Sequence, residues 1–178
     1  MHHTSSDNKF KLKNILPGVS VLSPYYDYLF AEYDYSLVDK SKFKNKELPW
    51  FERYFDVLPL INHRFLTLGE GNTPLVPSKR FKNSYIKDEG RNPSGCFKDR
   101  EHAVLFAGLS KKKKYILASS GNAALSAALY GKIYGIEVVC LIPRRTSESK
   151  KNLIRAYGGR AIEAGEDYEA CHRAILDN

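Results

Sequence analysis

Cysteine is scarce: Cys96, Cys140 and Cys171 are the only three in 178 residues. They form no CxxC pair and no zinc-finger spacing, so a disulfide scaffold and a structural zinc site are excluded and no metal is expected. Reduced thiols in a reducing compartment are the simplest reading. No apolar run approaches the roughly 20 residues that span a bilayer, so no membrane partner is expected. The opening MHHTSSDNKFKLKN lacks the apolar core of a secretory leader, and a cytoplasmic chain is the expectation. There is one tryptophan, Trp50, and there is neither an internal repeat nor a low-complexity linker. The net charge of +8 comes without an RNP-like aromatic pattern, a helix-turn-helix or a zinc finger. Nucleic acid is therefore not the expected partner, and an anionic small molecule fits the basic balance better. Part of the excess sits in Lys111 to Lys114, which reads as a solvated connection.

What is present divides at about residue 66. Residues 1–66 are rich in Tyr, Phe and Lys and show no clear periodicity, which predicts a helical or irregular segment. Within it, LPWFERYFDVLPL sets Trp50 between two Leu-Pro steps, and proline restricts the residue before it, so a short helix bounded by turns is expected. Residues 67–178 alternate more sharply. SYIKDEG, YILAS, IEVVCLIP and GRAIEAG read as strands. KDREHAVLFAGL, GNAALSAALYGKIYG, SESKKNLIRAYG and EDYEACHRAILDN read as helices. IEVVCLIP is nearly continuous and β-branched, as suits a strand buried on both faces. In the third helix Leu153, Ile154 and Tyr157 share one side, Lys150, Lys151 and Arg155 lie elsewhere, and Gly158 is placed to end it. Strand and helix alternating through short joins predict an α/β fold with a parallel sheet built from right-handed βαβ units.

Two stretches carry chemistry. In RNPSGCFKDREHA, Lys98 follows a tight polar turn and opens a helix. The helix dipole favours acids in the first turn, so a lysine there sits against the field, and a free amine is a nucleophile toward aldehydes. A solvated surface lysine is the bland alternative. In LASSGNAALSAAL, a strand ends and Ser119-Ser120-Gly121-Asn122 feeds a helix of small and apolar residues. Free N–H groups at a helix start attract anions, glycine allows close approach, and the serine hydroxyls add donors. The alternative is that Ser120 simply caps the helix.

KDEGRNPSGCFKDR together with LASSGNAALSAA resembles the fold-type II, tryptophan synthase β-like, family of pyridoxal-phosphate enzymes. Upstream, WFERYFDVLP followed by LGEGNTPLVPS is similar to the threonine synthases within it. The resemblance runs from about Leu48 to the C-terminus. It implies that Lys98 holds pyridoxal 5'-phosphate as a Schiff base and later moves protons as base and acid. It implies that Asn122 bonds the ring hydroxyl of the cofactor and that Ser119, Ser120 and Gly121 receive the substrate carboxylate. Asp99 and Arg100 would hold the turn rather than react. Cys96 stands where the family usually carries Ser or Thr, and reads as a small buried residue.

The reaction so implied is a carbon–oxygen lyase reaction of threonine biosynthesis. O-phosphohomoserine, a phosphorylated amino acid, and water would give threonine and phosphate. Family members are much longer than 178 residues and bind the cofactor phosphate with a later glycine-rich loop, so this chain is expected to be an incomplete N-terminal half of a two-domain enzyme, with little or no activity alone. Two other readings stand beside it: another fold-type II reaction, of the serine/threonine dehydratase or cysteate synthase type, or a non-catalytic binding module. A homo-oligomer is compatible with all three.

Overall fold

The computed structural model describes residues 2–5, 8–11, 30–32, 36, 38–58, 65–109 and 112–177. Most of the aromatic stretch at 23–36, part of the opening segment 1–14 and Lys111 lie outside the described residues.

A parallel three-stranded sheet forms the centre. Its strands are β6 (Lys114–Ala118), β7 (Glu137–Pro143) and β8 (Arg160–Gly165), in the order β6-β7-β8. Leu117 lies beside Cys140 and Leu141 beside Ile162 in the register. Between the strands run α3 (Asn122–Tyr134) and α4 (Glu148–Ala156), and α5 (Tyr168–Leu176) follows β8. Helix α2 (Lys98–Gly108) precedes β6 and packs along α3. The expected α/β class and βαβ units are therefore present. β7, flanked on both edges, buries Val138, Val139, Cys140 and Ile142, as its continuous apolar run predicts.

The core lies between the sheet and the α2–α3 pair. Phe106 of α2 meets Tyr115 of β6 edge-on at 5.3 Å, and Ala124, Ala127 and Tyr130 of α3 are sealed against the strands. The many alanines let α3 lie close to β7. Gly131 is the tightest point: a Cβ there would stand 2.3 Å from Val138 Cγ2 and 2.9 Å from the Ile136 carbonyl oxygen. Gly131→Ala should therefore destabilise the chain by about 1–3 kcal/mol, despite alanine's better helix propensity. A urea midpoint equal to or above that of the parent would refute this packing. Gly135 ends α3 in the left-handed region at φ 67°, and Ile136 N–H returns to the Gly131 carbonyl at 2.8 Å.

Helix α4 departs from its expected facing. Ile154 is fully buried, but Leu153 is 44% exposed, and Lys151 is buried. The Lys151 amine reaches Glu163 of β8 at 2.6 Å and Glu148 at 2.8 Å. A carboxylate from the neighbouring strand thus draws a lysine to the side that apolar periodicity assigns to leucine.

The first 66 residues hold more than helix and irregular chain. Three short strands, β1 (His2–Ser5), β2 (Asn8–Lys11) and β3 (Phe30–Glu32), pair antiparallel in the order β2-β1-β3. Three- and four-residue strands leave too little alternation to be read in advance. α1 (Trp50–Tyr54) is the expected short helix after Pro49, continued by a 3₁₀ turn at Phe55–Val57. A hairpin of β4 (Leu75–Pro77) and β5 (Tyr85–Lys87) connects this part to α2.

Candidate active site

Lys98 is the first residue of α2, and Asn122 is the first residue of α3. The two helices pack side by side, and Cys96, two residues before α2, lets its thiol reach the Asn122 carbonyl oxygen at 3.9 Å. Both helix starts are thereby held at one end of the pair. Ser119 N–H bonds the Leu141 carbonyl at 3.1 Å, which fixes the 119–122 turn to the carboxyl end of β7. In open α/β sheets the crevice beyond the carboxyl ends of the strands is where ligands bind.

The turn before Lys98 is rigid for visible reasons. Asp99 is fully buried, and its carboxylate accepts the Ser94 N–H and hydroxyl, each at 2.6 Å. Gly95 takes φ 82°, the left-handed conformation the turn requires. Arg100 lays its guanidinium along Glu89 with two bonds of 2.9 Å and adds Thr73 Oγ1 at 3.0 Å. Asp99 and Arg100 therefore hold the turn. Cys96 is buried and its sulfur touches Ser94 Oγ at 3.3 Å.

The Lys98 amine pairs with Glu101 Oε2 at 2.6 Å and lies 5.3 Å from the centre of the Phe97 ring. Its side chain is 31% exposed and that of Glu101 54%. Such exposed pairs contribute roughly 0–1 kcal/mol, so the amine is easily released to a ligand. No side chain caps α3: Gly121 stands at its N-cap in an extended conformation, and Gly121 N–H bonds Ser119 Oγ at 3.3 Å. Ser120 is not a cap. The first-turn N–H groups of α3 remain open to an anion, beside two hydroxyls and the exposed Asn122 amide.

Behind this end of the fold sit buried carboxylates whose roles the sequence did not announce. Glu70, from LGEGNTPL, is 1% exposed. It accepts Trp50 Nε1–H at 3.0 Å, Thr67 Oγ1–H at 3.1 Å, Leu68 N–H at 2.9 Å and the Tyr130 hydroxyl at 2.6 Å. Burial, with the bond to Glu70, holds the Tyr130 phenol well above its ordinary range. Asn92 accepts Gly71 N–H at 3.0 Å and donates to Glu89 at 2.8 Å, joining the same loop to the Lys98 turn. All of these residues except Thr67 lie in the quoted stretches; what the stretches lack is any sign of which carboxylate faces inward.

Two groups near Lys98 make the fold acid-sensitive. The Arg100 hydrogen bonds, helped by Thr73 and Asn92, bring Glu89 down from 4.5 to about 2. Burial pushes the His102 imidazole below its ordinary 6.5. Both hold fewer protons folded than unfolded, so stability falls with falling pH. The loss should begin below about pH 6.5 through His102 and steepen between pH 4.5 and 2 through Glu89. Thermal melts from pH 8 to 3 check this, and His102→Asn should flatten the upper part only. A melting temperature that rises on acidification to pH 5 would contradict it.

A family model described as "Pyridoxal-phosphate dependent enzyme" matches residues 66–177. The chain belongs to this family. Threonine synthase of Halalkalibacterium halodurans is 33% identical over 127 residues, which is 66% of this chain and 36% of that protein. Cysteine synthase of Aquifex aeolicus is 34% identical over 120 residues, covering 60% of this chain and 36% of the relative. Among solved structures, a hydrogen sulfide-producing enzyme from Fusobacterium nucleatum superposes with TM-score 0.52 and 28% identity, over 61% of this chain and 39% of that one. The chain spans about a third of the length of the curated relatives it matches. The shared fold is the fold-type II architecture, and the family's cofactor is pyridoxal phosphate. The donor set here fits that cofactor's reactive end: a primary amine that its partner holds loosely, and an amide at the neighbouring helix start.

Proposed function

We propose that this chain forms the amine-bearing part of a threonine synthase-like lyase, which converts O-phosphohomoserine and water to threonine and phosphate. The observation that carries the reading is the Cys96–Asn122 contact, which sets the Lys98 turn and the open start of α3 side by side. Lys98 would hold pyridoxal phosphate through its amine, and Asn122 would orient the ring through its amide. When bound, the cofactor accepts electron density from the substrate α-carbon. The N–H groups at the start of α3, with Ser119, Ser120 and Gly121, bind and orient the substrate carboxylate. The Lys98 amine, when not attached to the cofactor, would take and return a proton at Nζ. Glu101, one turn along, compensates the charge whenever Nζ is protonated. We take residues 67–178 as the catalytic α/β region and 1–66 as the segment that braces it. The threonine synthase relatives and the WFERYF and LGEGNTPL segments favour this reaction over its relatives.

The substrate test is spectroscopic. Chain loaded with pyridoxal phosphate should change its visible spectrum at a lower concentration of O-phosphohomoserine than of O-acetylserine or threonine. A response led by O-acetylserine would move the reading to cysteine synthesis, and one led by threonine to a dehydratase.

A further inference from the structure

A polar cavity of about 410 Å³ lies among α1, the 71–73 loop, β5 and the start of α2. It shares no residue with Lys98, Asn122 or the 119–121 turn. Three cationic side chains line it and converge on one dipeptide. Arg53 donates to the Asn72 side-chain oxygen, Lys87 to the Thr73 carbonyl and Arg100 to Thr73 Oγ1. Asn72 takes a positive φ of 47°, which turns this dipeptide toward the cations.

The charges do not balance. Glu89 is committed to Arg100 through two hydrogen bonds and has Thr73 and Asn92 as further donors. Among the described residues, neither Arg53 nor Lys87 has a carboxylate within ion-pairing distance. Each has only a neutral acceptor, and Arg53 Nε is buried with no hydrogen-bond partner. The orphaned Nε–H is a cost within the fold, and the cationic head of Arg53 is what the cavity presents. Lys87 is exposed and Arg53 half-buried, and the two stand at the same cavity with no carboxylate partner of their own among the described residues.

We propose that this cavity is an oxyanion site for a phosphate group, held by Arg53 and Lys87 and separate from the Lys98 site. A dianion matches the two cations that lack a carboxylate partner, and Lys87 has two further ammonium protons beyond its bond to Thr73. The volume admits free phosphate or a small phosphate monoester. The Tyr54 ring, 5.8 Å from the Arg53 guanidinium carbon and 40% exposed, stands at the rim.

Titration calorimetry of the full chain with sodium phosphate, and separately with glycerol 2-phosphate, at constant ionic strength tests the site. Saturable binding of at least one is expected; tighter binding of the ester assigns the group to a metabolite, tighter binding of phosphate to the free ion. Lys87→Gln and Arg53→Gln should each weaken binding roughly ten-fold or more, while Arg53→Lys keeps most of it. Should Arg53→Gln fail to fold by circular dichroism, Lys87→Gln decides alone. Lys98→Ala should bind phosphate as the parent does. No saturable binding, unchanged affinity in Lys87→Gln, or loss of binding in Lys98→Ala would overturn the proposal.

Discussion

Replacing Lys98 by alanine should abolish all borohydride-stable attachment of pyridoxal phosphate and leave the fold intact. In the parent chain, reduction followed by peptide mapping should place the pyridoxyl group on the peptide containing Lys98. The structure separates chemistry from stability at this residue. The Lys98 side chain is a third exposed, and its partners are a surface carboxylate and the face of Phe97, itself 56% exposed. Losing both contacts should cost less than about 1 kcal/mol, so melting should barely move. Lys98→Arg is the sharper control. It preserves the charge beside Glu101 but offers no primary amine, and it should fail to be labelled just as alanine does. Label mapped to Lys112 or Lys113, or persisting in Lys98→Ala, would remove Lys98 from the site. A large stability loss would instead mean that the first turn of α2 depends on the Lys98–Glu101 pair.

Much of the α/β half was legible because its signals are local. The short apolar YILAS, the continuous run at 137–143 and Gly158 each report one element or its end. The family motifs implied one site for Lys98 and the start of α3, and the Cys96–Asn122 contact is what brings the Lys98 turn beside that helix start. What was not legible is non-local. Lys151 lies inward because Glu163, on another element, is there to receive it. Glu70 sits in a motif that was visible, yet its burial depends on Trp50 twenty residues before it and Tyr130 sixty after. The expected domain edge near residue 66 marks a change in pattern rather than a gap in packing. Trp50 belongs to the same core cluster as Phe106 and Ile142, and Leu66 N–H bonds the Tyr134 hydroxyl at 2.7 Å.

That shared packing puts the largest stability effect on Glu70. Glu70→Ala should cost about 3–5 kcal/mol, because it strands two buried donors, Trp50 Nε1–H and the Tyr130 hydroxyl, and leaves space where the carboxylate stood. Thr67 and the Leu68 N–H lose their acceptor as well, so the 67–71 loop loosens with it. Glu70→Gln keeps the volume but places an N–H₂ among groups that all donate, and should recover only part of the loss. Tyr130→Phe removes one donor together with its need for an acceptor and should cost least, near 1 kcal/mol. Trp50 is the only tryptophan, so its emission reports this hub directly. Urea unfolding followed at that residue should show Glu70→Ala shifted to lower midpoint, with a red-shifted native baseline as α1 lifts away and the indole meets water. If Glu70→Ala unfolds with the parent's midpoint and a blue-shifted native spectrum, the buried carboxylate is not what binds α1 and the 67–71 loop to α3.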